Sequence, residues 1–403
     1  MTLSPAARWT LGATATMAVA MGISRFAYTP LLPPMRDAFD WTVTQTGDLA
    51  SLNYLGYLIG ALLAPRALER TPLLPLLATA LIGCVLTSAL GAYATSFLAW
   101  GTLRVLAGIA SALCLVAVTT RLGALLAAEP GTRLGHLHFS GVGLGIILSV
   151  LLVRDAGAGT PAAVAESWTR LAGISAALLL PAWALFRSVS DPMAPAPTPA
   201  SATGPATPAA VAAPRGRLRR ITAGYGLFGF GYIITATFIV AIAESSAASP
   251  QAAQDVWLSA GLAAMPSVPL WHALSRRFGL SRTLAAAYLV EALSVLLAAV
   301  AESTVLVHLA AALLGGTFAG ITALGLALGS TLAGPAAARV IGTMTAIFAI
   351  GQLIGPGIAG RLTTLTGSFV APSVIAALAL ILAALLLWQR SVNSQNDRTA
   401  LTG

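Results

Sequence analysis

The 403-residue chain is 57% hydrophobic and 9% charged, with a formal net charge of +9. A soluble domain carries roughly 25% charged residues, so this composition excludes an ordinary soluble globular protein and points to the bilayer. All 22 basic Lys/Arg positions are arginine, and their placement along the chain, rather than the net charge, decides what they mean.

Apolar runs and their breaks predict twelve spans, near 9–32, 47–65, 72–94, 97–121, 133–153, 168–187, 221–243, 255–273, 283–301, 303–331, 337–360 and 367–389. Each approaches the ~20 residues that a membrane-crossing helix needs. The first contains Met21-Gly22-Ile23-Ser24-Arg25-Phe26-Ala27-Tyr28-Thr29-Pro30. An arginine at such depth costs about 2.5–3.5 kcal/mol even on insertion scales, and normally faces a cavity or a polar partner. Positions three, four and seven apart share a helix face. That rule groups Gly22, Arg25, Tyr28 and Thr29 in the first span. In the second it groups Asn53, Gly56, Tyr57 and Gly60, with Asp48 at the outer end, and in the fourth Arg104, Gly108 and Ser111. Arg25 and Arg104 are expected at similar depth, a geometry that invites an anion or a carboxylate; Asp48 is an available partner for either, and such pairing would make the cluster an outer gate rather than a substrate clamp.

The polar stretch 188–220 separates six spans from six. Its Pro-Ala-Thr-rich middle, Ala194-Pro195-Ala196-Pro197-Thr198-Pro199, reads as an extended linker. The predicted units are therefore 1–187, a cytoplasmic linker 188–220 that ends in the Arg215–Arg220 cluster, and 221–403. In the second unit Tyr232, Thr235, Thr317, Thr322 and Gln352 offer neutral hydrogen-bonding groups, and Thr345 and Phe348 share the face of Gln352. Glu291 lies mid-span, as a proton carrier or as a buried neutral acid. His308 lies about one turn into its span, as a proton carrier or as an interfacial histidine. Glu244, Asp255 and Glu302 fall near outer helix ends, where solvated charge is expected. His136 and His138 point to different faces of a helix, so no metal site is expected.

With the amino terminus inside, the arginines outside the spans gather on the cytoplasmic side, and only Arg36, Arg154, Arg170 and Arg361 fall on the outer side. The positive-inside rule then places both termini in the cytoplasm. The basic excess follows topology, and no nucleic-acid partner is expected. The first apolar run is too long for a cleavable signal. Cys84 and Cys114 both lie in spans, so a disulfide is not expected, and no Gly-Lys-Ser/Thr phosphate loop is present.

The two halves echo one another. Gly22-Ile-Ser-Arg-Phe-Ala-Tyr-Thr-Pro-Leu overlays Gly229-Phe-Gly-Tyr-Ile-Ile-Thr-Ala-Thr-Phe, which sets Arg25 opposite Tyr232. Gly108-Ile-Ala-Ser-Ala-Leu matches Gly316-Thr-Phe-Ala-Gly-Ile, and the fifth and eleventh spans both start at an arginine, Arg133 and Arg339. A duplicated six-helix unit with binding between its halves is a transporter plan. Over nearly its whole length the chain resembles the major facilitator superfamily, and these signatures resemble those of the YbfB/YjiJ-like branch. The resemblance implies an all-α integral membrane fold of two pseudo-symmetric six-helix bundles, working by alternating access. Two departures stand out. The superfamily's loop motif Gly-x-x-x-Asp-Arg is here Gly60-Ala-Leu-Leu-Ala64-Pro65-Arg66, and the equivalent loop Trp271–Gly279 also lacks the acid. A pattern resembling the fifth helix of antiporters stands in the eleventh span as Gly351-Gln-Leu-Ile-Gly355-Pro356-Gly-Ile-Ala-Gly360.

The expected protein is a monomeric secondary transporter of the bacterial-type inner membrane, proton-coupled and without cofactor, for a small organic solute. An organic anion is favoured because two intramembrane arginines outnumber the one mid-span acid. Arg25, Tyr28, Asn53, Tyr57, Arg104, Tyr232 and Gln352 would line the pathway; Asp48, Glu291 and His308 are the proton-coupling candidates. Gly22, Gly108, Gly351, Gly355, Pro356 and Gly360 serve packing or gating. The alternatives are proton-antiport efflux of hydrophobic compounds and, from another class, a non-transporting receptor or a membrane enzyme. A receptor would need an added signalling domain, and an enzyme a convergent catalytic set that these spans do not supply.

Overall fold

The computed structural model describes residues 3–128, 137–189, 215–244 and 249–388. Arg133, His136, most of the linker, and Arg390 and Arg398 lie outside the described residues. The described chain is all-α. Its first apolar stretch forms α1 (Pro5–Met17), a π-helical segment over Ala18–Ile23, and α2 (Tyr28–Ala38). There follow α3 (Val43–Arg70), α4 (Leu73–Gly91), α5 (Phe97–Ala128), α6 (Ser140–Leu152) and α7 (Pro161–Arg187). After the linker come α8 (Arg215–Ala243), α9 (Pro250–Phe278), α10 (Leu280–Val300), α11 (Thr304–Ala333), α12 (Ala337–Thr366) and α13 (Val370–Trp388).

Local chemistry sets several of these boundaries. Thr42 and Gln45 close a reciprocal capping box at the start of α3. Thr160 caps α7 with Pro161 in its first turn, so this helix starts earlier than the sequence suggested. The Arg215–Arg220 cluster, read as the end of the linker, is already helical in α8.

Among the described residues, α4, α5, α7, α8, α10, α11, α12 and α13 are long and apolar enough to cross a membrane. The exceptions have identifiable causes. The first stretch is broken by its π-helical segment and by a turn at Ser24–Ala27, and α6 has only 13 residues. Helix α3 carries Asp48, Asn53, Arg66, Glu69 and Arg70, and α9 carries Gln251, Gln254, Asp255 and His272.

Packing explains why these helices tolerate polarity. Helices α1–α7 pack among themselves, chiefly α3 on α5, α4 on α5 and α7, and α1 on α7. Helices α8–α13 do likewise, chiefly α9 on α11, α8 on α12, and α10 on α11 and α13. The seam between the sets is made by α3 on α12, α6 on α9 and α2 on α8. Helices that face protein at the seam satisfy polar groups with other helices, so an all-apolar surface is not required of them.

Small residues set the closest crossings. A Cβ on Gly108 would lie 2.1 Å from the carbonyl oxygen of Asn53, and one on Gly56 would lie 2.0 Å from that of Val105. The α3–α5 pair therefore approaches backbone to backbone. Gly108→Ala should destabilise the protein by about 1–3 kcal/mol, the usual cost of overpacking. Gly173→Ala on α7, where a Cβ meets nothing within 4 Å, should be neutral or stabilising by up to about 1 kcal/mol. Apparent melting temperatures of the detergent-purified variants check the pair.

Candidate functional site

The site begins with backbone chemistry in the first apolar stretch. Pro30, Pro33 and Pro34 have no N–H to give, so carbonyls one turn earlier lose their helical partners. Substitutes come from distant side chains. Gln254 on α9 donates to the carbonyl of Pro30 at 3.3 Å, the oxygen that Pro34 cannot serve. Thr29 donates its N–H to Phe26 at 3.2 Å, a tighter turn than the α-helical one. At the turn after the π-helical segment, the Arg104 guanidinium donates to the carbonyls of Ser24 at 3.1 Å and Arg25 at 3.2 Å. Asn53 in turn donates to the Arg104 carbonyl at 2.9 Å.

In that arrangement Arg104, expected to line the pathway, is bonded to the main chain of the first apolar stretch. Its two terminal nitrogens are committed to main-chain carbonyls, and its guanidinium also lies 4.7 Å from the centre of the Tyr28 ring. Tyr28 is fixed as well, its hydroxyl donating to the Thr46 carbonyl at 2.9 Å. Arg104, Asn53 and Tyr28 hold the broken strand of helix in place.

Arg25 is what they hold. It is 2% exposed and donates to Gln352 Oε1 on α12 at 2.7 Å, across the seam. Its guanidinium stands 4.2 Å from the centre of the Tyr57 ring and 4.8 Å from that of Tyr54. The Gln352 amide donates onward to the Tyr232 hydroxyl. Among the described residues no carboxylate pairs with Arg25 or Arg104, and the Nε of each is buried without a hydrogen-bond partner. The Arg25 cation is met by ring faces and a neutral amide. Desolvated cation–π contacts contribute on the order of 2 kcal/mol, which offsets only part of the cost of burying a charge.

Beyond Gln352 stands an aromatic wall. The Tyr232 ring lies nearly parallel to Phe318 and Phe348, with interplanar angles of 8° and 9° and centroids 6.0 and 5.9 Å away. Phe26, next to Arg25, meets Phe318 edge-on at 5.9 Å. Thr29 donates to the Ala236 carbonyl at 2.8 Å, a further bond across the seam. Tyr54 was not singled out from sequence, although its spacing of three from Tyr57 places both on one face.

Asp48 does not join the central arginines. It makes a two-pronged ion pair with Arg361 of α12, at 2.7 and 3.2 Å, and its expected pairing with Arg25 or Arg104 is corrected accordingly. Two further ion pairs cross the seam at the same end of the molecule, Arg154–Asp255 at 2.7 Å and Arg36–Glu244 at 3.4 Å. Glu244 and Asp255, expected as solvated charges, are thus partners of arginines in the other half. Arg170 pairs within its own half, with Asp155 and Glu166.

The remaining candidates are dispersed. Glu291 is fully buried on α10, where Thr317 of α11 is hydrogen-bonded to Oε2 while Oε1 has no partner. His308 Nδ1 meets the Ser259 hydroxyl at 2.8 Å, away from Arg25. Thr235 is buried with its hydroxyl unpartnered, and Thr322 bonds the Phe318 carbonyl. A Cβ on Gly22 would lie 2.4 Å from Gly145, on Gly351 2.5 Å from the Gly226 carbonyl, on Gly355 2.8 Å from Ile233, and on Gly360 2.8 Å from the Val43 carbonyl. Pro356 presents its carbonyl to Gly47 of α3. Cys84 and Cys114 are buried free thiols.

The fold is that of known membrane carriers. A structure titled nucleoside transporter NupG (D323A mutant) matches with a TM-score of 0.72 at 16% identity, covering 94% of this chain and 98% of that one. A D-xylose-proton symporter matches with a TM-score of 0.73 at 14% identity, covering 95% and 97%. The family described as "Uncharacterised MFS-type transporter YbfB" matches residues 17–388. The chain belongs to that family of major facilitator transporters, which places it among transport proteins rather than enzymes. No match is found among curated proteins.

Burial pushes the Glu244 carboxyl above the usual glutamate range, against the opposing pull of Arg36. A raised folded-state value means that the folded protein holds this proton more tightly than the unfolded chain. Its contribution to stability is therefore greatest below the ordinary value of about 4.3 and is lost as pH rises through the raised one. Glu244→Gln should remove this slope from the melting temperature measured against pH, while Glu302→Gln leaves it in place.

Proposed function

We propose that the protein is a twelve-span secondary carrier that moves a small organic anion across an inner membrane by alternating access, coupled to protons. In this reading α1–α2 count as one broken span, α1–α7 and α8–α13 form two six-helix bundles, both termini are cytoplasmic, and the working unit is a monomer. The observation that carries it is Arg25: a buried cation at the seam whose partners are an amide and ring faces, with no carboxylate partner among the described residues. A solute carboxylate is a stronger acceptor than the Gln352 amide, because it carries a full negative charge and can take two parallel N–H bonds from the guanidinium. Its arrival would displace Gln352, break a bond that ties α12 to the first half, and bias the seam toward rearrangement.

Family membership supports transport, and the fold neighbours support small polar solutes, since one is named for nucleosides and another for D-xylose with protons. The three ion pairs at the Asp48 end would serve as the outer latch. Glu291 is the buried acid best placed for a proton, since Phe318, the residue after Thr317, stacks on Tyr232. The aromatic wall of Tyr232, Phe318 and Phe348 favours a second reading, efflux of hydrophobic compounds, in which the rings rather than Arg25 hold the cargo.

Uptake of a metabolite panel into proteoliposomes under a pH gradient tests both. Carboxylates should be transported by wild type, with Arg25→Ala at least about tenfold weaker, the least expected on losing a buried charge partner. Arg25→Lys should recover only part of this, because lysine lacks the planar fork. Undiminished carboxylate uptake in Arg25→Ala would remove Arg25 from the mechanism. Flux of lipophilic compounds alone, insensitive to Arg25, would establish the efflux reading.

A further inference from the structure

A second anion-seeking site lies inside the first half, on the side of the helix break away from Gln352. Between the turn at Ser24, α4, α5 and α7 is a cavity of ≈ 10 Å³, lined by Ser24, Thr87, Ser88, Trp100, Arg104 and Trp168 among others. That is room for a single small species and too little for an organic solute. Three of the lining residues are almost completely buried, Ser24 at 2% exposure and Arg104 and Trp168 at 3% each. Each leaves a buried hydrogen-bonding atom without a partner: Ser24 Oγ, Arg104 Nε and Trp168 Nε1.

The chemistry of these atoms is one-sided. The indole and guanidinium nitrogens are donors only, and the Ser24 hydroxyl has a hydrogen free to give. The side-chain hydrogens of Trp100, Ser88 and Thr87 are committed elsewhere. Trp100 donates to the Ala94 carbonyl at 2.9 Å, Ser88 to that of Cys84 at 3.0 Å, and Thr87 to that of Gly83 at 2.9 Å. A buried donor left unmatched is costly, and here the three residues that carry such donors line one small space, beside a cation with no carboxylate partner among the described residues.

We infer that this cavity is a binding site for a monoatomic anion, chloride in the first instance, held by Arg104 Nε–H, Trp168 Nε1–H and Ser24 Oγ–H. Such an ion accepts from all three donors and brings no hydrogens of its own. It also neutralises the Arg104 charge whose terminal nitrogens hold the Ser24 and Arg25 carbonyls. The site is independent of the solute proposed at Arg25, and it assigns Arg104 a resident counter-ion in place of a transported one.

The test uses the purified full-length protein in gluconate buffer at constant ionic strength. Titrated chloride and bromide should each raise the melting temperature with a saturable midpoint. Ser24→Ala and Trp168→Phe, which remove one donor each, should shift that midpoint upward by about tenfold, as expected for one hydrogen bond to a charged group. Crystals grown with bromide should show an anomalous peak between Arg104 and Trp168, which decides the matter even if one variant fails to fold. Equal stability in chloride and gluconate with no anomalous peak would overturn the proposal. So would a halide response unchanged in both variants, or an ordered water bridging Trp168 to the Thr87 and Ser88 hydroxyls in place of the ion.

Discussion

The contact between the Arg104 guanidinium and the carbonyls of Ser24 and Arg25 is the one on which the centre of this protein depends. A helix interrupted at a π-helical segment and followed by Pro30, Pro33 and Pro34 leaves carbonyl oxygens without helical donors, in a setting where water is scarce. A cation from α5 supplies two donors at once, and charge-assisted bonds of this kind are stronger than neutral ones. Fixing those carbonyls fixes the direction in which Arg25 leaves the backbone. Its side chain then crosses the seam between the rings of Tyr54 and Tyr57 to reach Gln352.

The charges divide into two populations with different physics. Arg36, Arg154 and Arg361 pair with carboxylates across the seam at one end, where side-chain exposures run from 28% to 58%. Ion pairs at such exposure contribute little each, about 0–1 kcal/mol, so the three together join the halves only weakly. Arg25 and Arg104 lie buried where charge is expensive, and among the described residues neither has a carboxylate partner. One is tied to backbone and the other to a neutral amide. That asymmetry leaves the centre short of negative charge, while the end is balanced.

The same division appears in the helices. Those of highest hydropathy, α4 and α13, keep more than half of their residues away from the protein interior. The seam helices α3 and α9 carry amides, carboxylates and close glycine crossings. Polarity at the seam therefore has a packing cost, met by backbone-to-backbone approach at Gly47, Gly360 and Gly143, and it gives the two halves hydrogen bonds that can be exchanged.

Much of this was legible in the chain. Length and spacing of apolar runs mark the spans, because a bilayer demands about 20 apolar residues wherever a helix crosses. Arg25 declared itself through the cost of a charge at that depth, and Tyr57, Tyr232 and Gln352 followed from helical spacing and the echo between halves. The partners did not. Asp48 sits one turn into α3, and nothing in its own segment tells that Arg361, more than three hundred residues later, stands opposite. Arg104 looked equivalent to Arg25, since sequence gives depth but not direction; which way each guanidinium turns was set by the turn at Ser24–Ala27, whose carbonyls Arg104 meets, and by where α12 brought Gln352. Local sequence determined which groups must find partners in a dry interior, and only the tertiary packing, which joins distant helices at the seam, decided which partners they found.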